Sequence, residues 1–173
     1  MILESIQSRR STRKFKPTPI TKEQTKLLLE AAMLAPSACN TRPWRFIAIS
    51  CRKTLDNLAE VHSHAKMLAT AQLAIIVVAL PATQEGTLNG LPSGFYPQDC
   101  GAATQNILLQ AESIGLGSCW CGIYPKEEKV AMFSEMFNIP TDEIPFCIIA
   151  IGQKDEEPNQ RGKYEEEKVT WVE

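Results

Sequence analysis

Three short stretches of this chain hold the residue types that could do chemistry. The first is RRSTRKF, residues 9–15, which sets Arg9, Arg10 and Arg13 beside the hydroxyls of Ser11 and Thr12. Guanidinium groups present forked donors that match phosphate oxygens. A solvated basic turn would use the same residues. The second is APSACNTRPWRF, residues 35–46, where Ser37 and Asn40 precede Arg42, Pro43 and Trp44. Ser and Asn cap turns without any ligand, and a Trp is more often an anchor than a cofactor contact. The third is GLGSCWCGIYP, residues 115–125. Its glycines let backbone approach a ligand closely, and its N–H groups could meet acceptors on a planar heterocycle. A helix end followed by a buried aromatic turn is the plainer reading. Cys119 and Cys121 are more often small buried residues than nucleophiles, and no His lies near them in sequence.

Composition narrows what these stretches serve. The chain's 173 residues point to one domain. Eighteen basic residues against twenty acidic ones, a net charge of −2, disfavour nucleic acid or an anionic membrane as partner. The six cysteines are Cys39, Cys51, Cys100, Cys119, Cys121 and Cys147, without a C-x-x-C pair. Both histidines, His62 and His64, stand far from Cys119 and Cys121 in sequence, so no metal site is expected. Reduced thiols in a cytoplasmic protein are the expectation. MILESIQSRRS lacks the apolar run of a signal peptide. LAIIVVAL, residues 73–80, is too short to span a bilayer.

Periodicity outlines the elements that must position these residues. Ile2, Leu3 and Ile6 fit a short helix before the arginines. Thr21 and Gln24 form a capping box for a helix with Leu27, Leu28, Ala31, Ala32 and Ala35 on one face, stopped by Pro36. Residues 44–50 alternate as a strand, and Leu55, Leu58, Ala59, His62, Ala65 and Leu68 predict a second long helix. LAIIVVAL and PFCIIAIG (145–152) read as strands buried on both faces. No element is assigned to 81–97. A helix covers 98–114, with Gly115 and Gly117 able to end it, and Pro125 suits the first position of a helix carrying Val130, Phe133 and Phe137. Three strands are too few for a complete sheet, so a missed strand or a partner chain is expected. The charged last twenty residues end in Val169 and Trp171, which implies docking onto something.

In order, RRS-x-R-x-F, then A-P-S-x-x-N-x-x-P-W-x-F, then DCGAATQNILLQAESIGLGSCW (Asp99 to Trp120) resemble the nitroreductase family of FMN-dependent oxidoreductases. The resemblance covers nearly the whole chain. It implies an α+β, nitroreductase-like fold: a central, mostly antiparallel sheet flanked by helices, in one domain over 1–173. It also implies a homodimer with FMN at the interface and a C-terminal arm, about 153–173, exchanged between subunits. By the same match Arg9, Arg10, Ser11 and Arg13 form the N-terminal FMN motif. Arg9 and Ser11 meet the phosphate and ribityl end, and Arg13 the ring's N1 and O2 edge. Pro36, Ser37, Ala38 and Asn40 match a loop that reaches the flavin from the second subunit. Cys119, Trp120, Cys121 and Gly122 match the stretch beside flavin N5, where backbone and not thiol gives the hydrogen bond. Lys163 matches a phosphate contact and Lys66 a lysine near the ring edge. Arg42 stands where the family often has Gln.

The implied activity is reduction of nitroaromatics, quinones or similar electron-poor acceptors with NAD(P)H as co-substrate, by ping-pong hydride transfer. The flavin carries the hydride and no side chain is required as a catalytic nucleophile or base. Three other readings stay open: a non-catalytic flavin-binding or redox-sensing protein, a specialised flavin enzyme of the same fold, and a metal-binding module.

Overall fold

The two wholly apolar runs become the neighbouring central strands of a five-stranded sheet. The computed structural model describes residues 1–84, 94–156, 162 and 164–173. Strand β3, Leu73–Ala79, is buried at every position, and β5, Ile144–Lys154, is buried from Pro145 to Gly152. They pair antiparallel, with Leu73 opposite Ile151 and Ala79 opposite Ile144. β2, Trp44–Ile49, covers the far side of β3, with Trp44 opposite Ala79. Two strands come from sequence that gave no strand signal. β1 is the pair Phe15–Lys16, bonded to the end of β5. β4, Leu116–Gly122, runs along the free side of β5, with Leu116 opposite Gln153 and Gly122 opposite Cys147. All four ladders are antiparallel.

Side-chain alternation then splits the core into two layers. Ala74, Ile76 and Val78 share one layer with Ile148, Ala150, Cys119 and Cys121. That layer is closed by α3, Arg52–Val61, through Leu55 and Leu58, and by α5, Glu127–Phe137, through Phe133. Leu73, Ile75, Val77, Ile149 and Ile151 face the other way. They meet α2, Lys22–Met33, through Leu28 and Ala32, and α4, Tyr96–Ser113, through Ala103, Ile107 and Ala111. The short N-terminal helix α1, Glu4–Ser8, buries none of its residues in this chain.

Element ends follow local chemistry. The Thr21 hydroxyl accepts from the Gln24 N–H at 3.1 Å while the Gln24 side chain accepts from the Thr21 N–H at 3.0 Å. Gly115 closes α4 at φ 77°, a conformation that suits glycine. Several expectations need correction. The second long helix is broken: α3 stops at Val61, and His62 adopts φ −100°, ψ 97°. A separate 3-10 turn, Lys66–Ala69, follows, so the apolar stripe is right and its continuity is not. Of the stretch 81–97, to which no element was assigned, Pro81–Gln84 form a 3-10 turn and α4 starts at Tyr96, while 85–93 lie outside the described residues. Gly117 lies inside β4, and Pro125 precedes the Lys126 N-cap of α5.

The segment from Ser11 to Lys16 crosses the sheet. The Thr12 N–H donates to the Ser118 carbonyl at 3.0 Å, and Asp155 N–H donates to the Lys14 carbonyl at 3.0 Å. Glycines on the strands beneath leave the room. A Cβ on Gly117 would stand 2.6 Å from the Thr12 hydroxyl oxygen, and one on Gly152 would stand 2.7 Å from the Phe15 ring.

Candidate active site

Strand β4 is the wall around which the site is built. Ladder geometry fixes which of its backbone groups are available. In an antiparallel pair, both backbone groups of alternate residues point to the same side. The carbonyls of Ser118 and Gly122 bond away from β5, to Thr12 N–H and to the His62 ring. Trp120 lies between them in an unbroken register, so its N–H and carbonyl also point to the outer edge. That edge borders a cavity of about 410 Å³. Cys119, Trp120, Cys121 and Gly122 line it from β4, with Arg13, His64, Lys126 and Lys129 bringing nitrogen cations or ring nitrogens.

The lining carries no carboxylate. Among the described residues no carboxylate lies within ion-pair distance of the Arg13 guanidinium, whose Nη1 reaches only the Ser11 carbonyl at 3.3 Å. The Arg13 backbone N–H is held by the Glu156 carboxylate, which also accepts from the Lys14 N–H at 3.2 Å. The arginine is therefore fixed at its backbone and free at its charge. Ser11 is drawn to the same wall by a parallel bridge to Ser118.

Side chains of β4 divide between the two layers. Cys119 and Cys121 are buried on the α3 and α5 side. The Cys121 thiol donates to the His64 carbonyl at 3.4 Å and meets the Met67 sulfur at 3.8 Å. The neighbouring Cys121 thiol, then the charge of Arg13, hold the Cys119 thiol down to about 7 against the opposing effect of burial. Cys121 is pushed upward, first by that same partnership with Cys119 and then by burial. Trp120 projects the other way. It is 39% exposed, tilted against Phe146 with ring centres 6.0 Å apart, and is not the buried aromatic expected for this stretch.

The remaining residues singled out in sequence sort into three groups. Arg10 is turned back on its own helix, its Nη1 donating to the carbonyls of Gln7 at 2.8 Å and Arg9 at 2.7 Å. Arg9 lies one residue before it and, among the described residues, makes no side-chain ion pair. Lys66 is exposed two residues after His64. Pro36, Ser37, Ala38 and Asn40 do not line the β4 cavity. Their loop follows α2 and is rigidly built. The Ala38 N–H donates to Asp99 Oδ1 at 3.1 Å, and the Ser37 hydroxyl accepts from the Arg42 N–H at 2.9 Å. Cys39, Asn40 and Arg42 all take positive φ. Arg42 Nη2 closes the loop on the Met33 carbonyl at 3.2 Å, with Trp44 buried behind it. Lys163 lies outside the described residues.

Sequence reading weighed His62 and His64 only as metal ligands, with His62 also one position of an apolar stripe, and it passed over Lys126 and Lys129. The histidines are distant from Cys121 in sequence yet beside it in space, because the turn after α3 folds onto β4. Lys126 and Lys129 are one helical turn apart, which places them together at the start of α5. Among the described residues, no three His, Cys, Asp or Glu side chains gather as a metal site would require, and no helix is long and apolar enough to cross a membrane.

Comparison with known proteins adds relatives to this geometry. The Nitroreductase family model matches residues 6–153. A Methanothermobacter thermautotrophicus protein named "Putative NADH dehydrogenase/NAD(P)H nitroreductase" is 40% identical over 168 residues, spanning 97% of this chain and 85% of that protein. The FMN-dependent nitroreductase of Clostridium difficile R20291 superimposes with a TM-score of 0.86 at 29% identity, covering 98% of each chain. A Desulfovibrio desulfuricans structure in complex with FMN has a TM-score of 0.83 at 25% identity, covering 98% of this chain and 95% of that one.

Proposed function

The chain belongs to the nitroreductase family, and from that premise we propose that it is an FMN-dependent NAD(P)H oxidoreductase whose flavin ring lies in the β4 cavity. The observation that carries the placement is the outward Trp120 backbone beside an unpaired Arg13 charge. An outward amide suits a ring nitrogen acceptor, and a cation suits the ring edge on which negative charge collects. Bound FMN supplies hydride chemistry between NAD(P)H and an electron-poor acceptor such as a nitroaromatic or a quinone. The chain's own residues hold and aim the cofactor. Arg9 and Ser11 take the phosphate and ribityl end, with Lys163 as a further phosphate contact. Arg13 and Lys66 face the ring edge. Pro36, Ser37, Ala38 and Asn40 serve the flavin of a second copy. One cavity receives nicotinamide and acceptor in turn, which gives ping-pong kinetics.

A homodimer is part of this reading. Ile2 and Leu3 beside α1 are 67% and 69% exposed, and Trp171 and Val172 at the end of the chain 77% and 93%. Exposed apolar groups at both ends of a chain fit an exchanged C-terminal arm better than free solvent. A cytoplasmic location is part of the same reading, which the six unpaired cysteines support.

The test is a visible spectrum after FMN loading and desalting, then steady-state oxidation of NADH and NADPH with a quinone. Retained flavin and parallel double-reciprocal lines are expected. Arg13→Ala should weaken FMN binding or slow flavin reduction. A well-folded protein that stays colourless would overturn the reading. Retained flavin without turnover would favour the redox-sensing alternative.

A further inference from the structure

We infer that His62 is a positioning residue for the outer edge of β4, holding in place the backbone that faces the flavin. The inference rests on the cavity being the flavin site. His62 is fully buried at the end of α3. Its Nδ1 accepts the His64 N–H at 3.3 Å. In a neutral ring that leaves the proton on Nε2, which donates to the Gly122 carbonyl at 3.2 Å. Lys129 Nζ lies 3.4 Å from Nε2. Both atoms are then donors, so the lysine is an electrostatic neighbour and no hydrogen-bond partner. It opposes a second proton on the ring. The imidazole and the Phe133 ring meet in a T-shaped contact with ring centres 5.9 Å apart.

One ring thus joins three walls of the cavity. It bonds Gly122 of β4, fixes the turn that presents His64, and packs on α5, which presents Lys126 and Lys129. Gly122 is the next outward-facing residue after Trp120, so its carbonyl sets the direction of the edge. A glycine there has no side chain to pack, and the histidine supplies the restraint that a side chain would give. An apolar residue at 62 would fill the space and leave that carbonyl without its partner.

His62→Gln, His62→Leu and Arg13→Ala test this. Gln carries both a donor and an acceptor; Leu carries neither. FMN affinity, flavin midpoint potential and melting temperature of the apoprotein would be measured for each. His62→Leu is expected to weaken FMN binding by about tenfold or more and to move the potential, the scale of an unpaired buried acceptor. His62→Gln should stay within about threefold of the parent, since a donor is restored. Equal melting losses in both variants with unchanged flavin affinity and potential would mean a merely structural role and overturn the inference. A loss in Arg13→Ala but not in His62→Leu would also overturn it while leaving the flavin placement intact. If neither variant affects FMN, the cavity is not the flavin site and both readings fall. Should His62→Leu not fold, nitrogen NMR of the unaltered protein decides. A neutral ring protonated on Nε2 whose signal shifts on FMN addition supports the inference, and the opposite tautomer or an unmoved signal overturns it.

Discussion

Adding one methyl group at Gly117 should disturb both the fold and the proposed cofactor site, because the N-terminal segment lies directly on it. A Cβ at this position would stand 2.6 Å from the Thr12 hydroxyl oxygen, 2.7 Å from its Cβ and 2.8 Å from its methyl carbon. Ordinary contact between such atoms begins at about 3.4 Å, so Thr12 must retreat by roughly 0.6–0.8 Å. It has little room to do so. Thr12 is fully buried and its N–H is bonded to the Ser118 carbonyl one residue along β4. Overpacking of this kind costs about 1–3 kcal/mol. In a domain of this size each kcal/mol lowers the melting temperature by about 2–4 °C. Gly117→Ala should therefore melt about 2–12 °C lower as apoprotein. Ser11 and Arg13 flank Thr12, so FMN affinity should fall as well. A double-mutant cycle isolates the cause. Thr12→Gly removes all three clashing atoms, and in that background Gly117→Ala should cost little, giving a coupling of about 1–3 kcal/mol. Calorimetry and flavin fluorescence titration measure the two effects. A Gly117→Ala protein with parental melting temperature and parental FMN affinity would refute the packing argument.

Three further outcomes follow from the same structure. Burial, then Lys129, lower the His62 pKa below its ordinary 6.5, so in the window beneath that value the unfolded chain binds a proton that the folded chain refuses. Stability should fall as pH drops from about 6.5 towards the folded pKa, by about 1.4 kcal/mol for each unit of lowering, and be unaffected by this group above about 6.5; urea midpoints that decline equally in His62→Gln would contradict this. Cys119 of the apoprotein should be alkylated by iodoacetamide with a rate midpoint at about 7, and Cys121→Ala should move that midpoint up because it removes the largest lowering cause; peptide mapping that finds no such movement counts against the thiol pairing. Thr21→Ala removes one half of the α2 capping box and should cost about 1 kcal/mol in chemical unfolding, with no change in FMN affinity.

The parts of this fold that were legible from sequence are those set by local or fully apolar patterns. The buried runs of β3 and β5, the α2 capping box and the stripe of α4 each announce themselves over a few residues. β1 and β4 do not. Two residues are too short to show alternation, and LGSCWCG is poor in the β-branched residues that mark strands. β4 becomes a strand because β5 offers it seven successive partners, a tertiary cause that no local window contains. The break at His62 is hidden for a similar reason. The stripe from Leu55 to Leu68 continues through it, since the residues after the break are still buried against the same layer.

The site shows the same division, and there it has a functional consequence. Arg13 and the 119–122 stretch were identifiable through an ordered family pattern, and the fold brings them to one cavity. What no pattern could show is that the reactive-looking atoms of β4 are not its outward ones. Strand parity turns the two thiols inward to α3 and α5 and turns the backbone of Ser118, Trp120 and Gly122 to the open edge. Two of those three carbonyls are already occupied, by Thr12 and by His62. The middle residue keeps its backbone at the open edge between two fixed points. A single-residue slip of β4 against β5 would exchange these roles and bring the thiols' own amides to the edge. The contacts that prevent such a slip, Thr12 on Gly117 and His62 on Gly122, are therefore part of the site although neither side chain touches the cavity's contents.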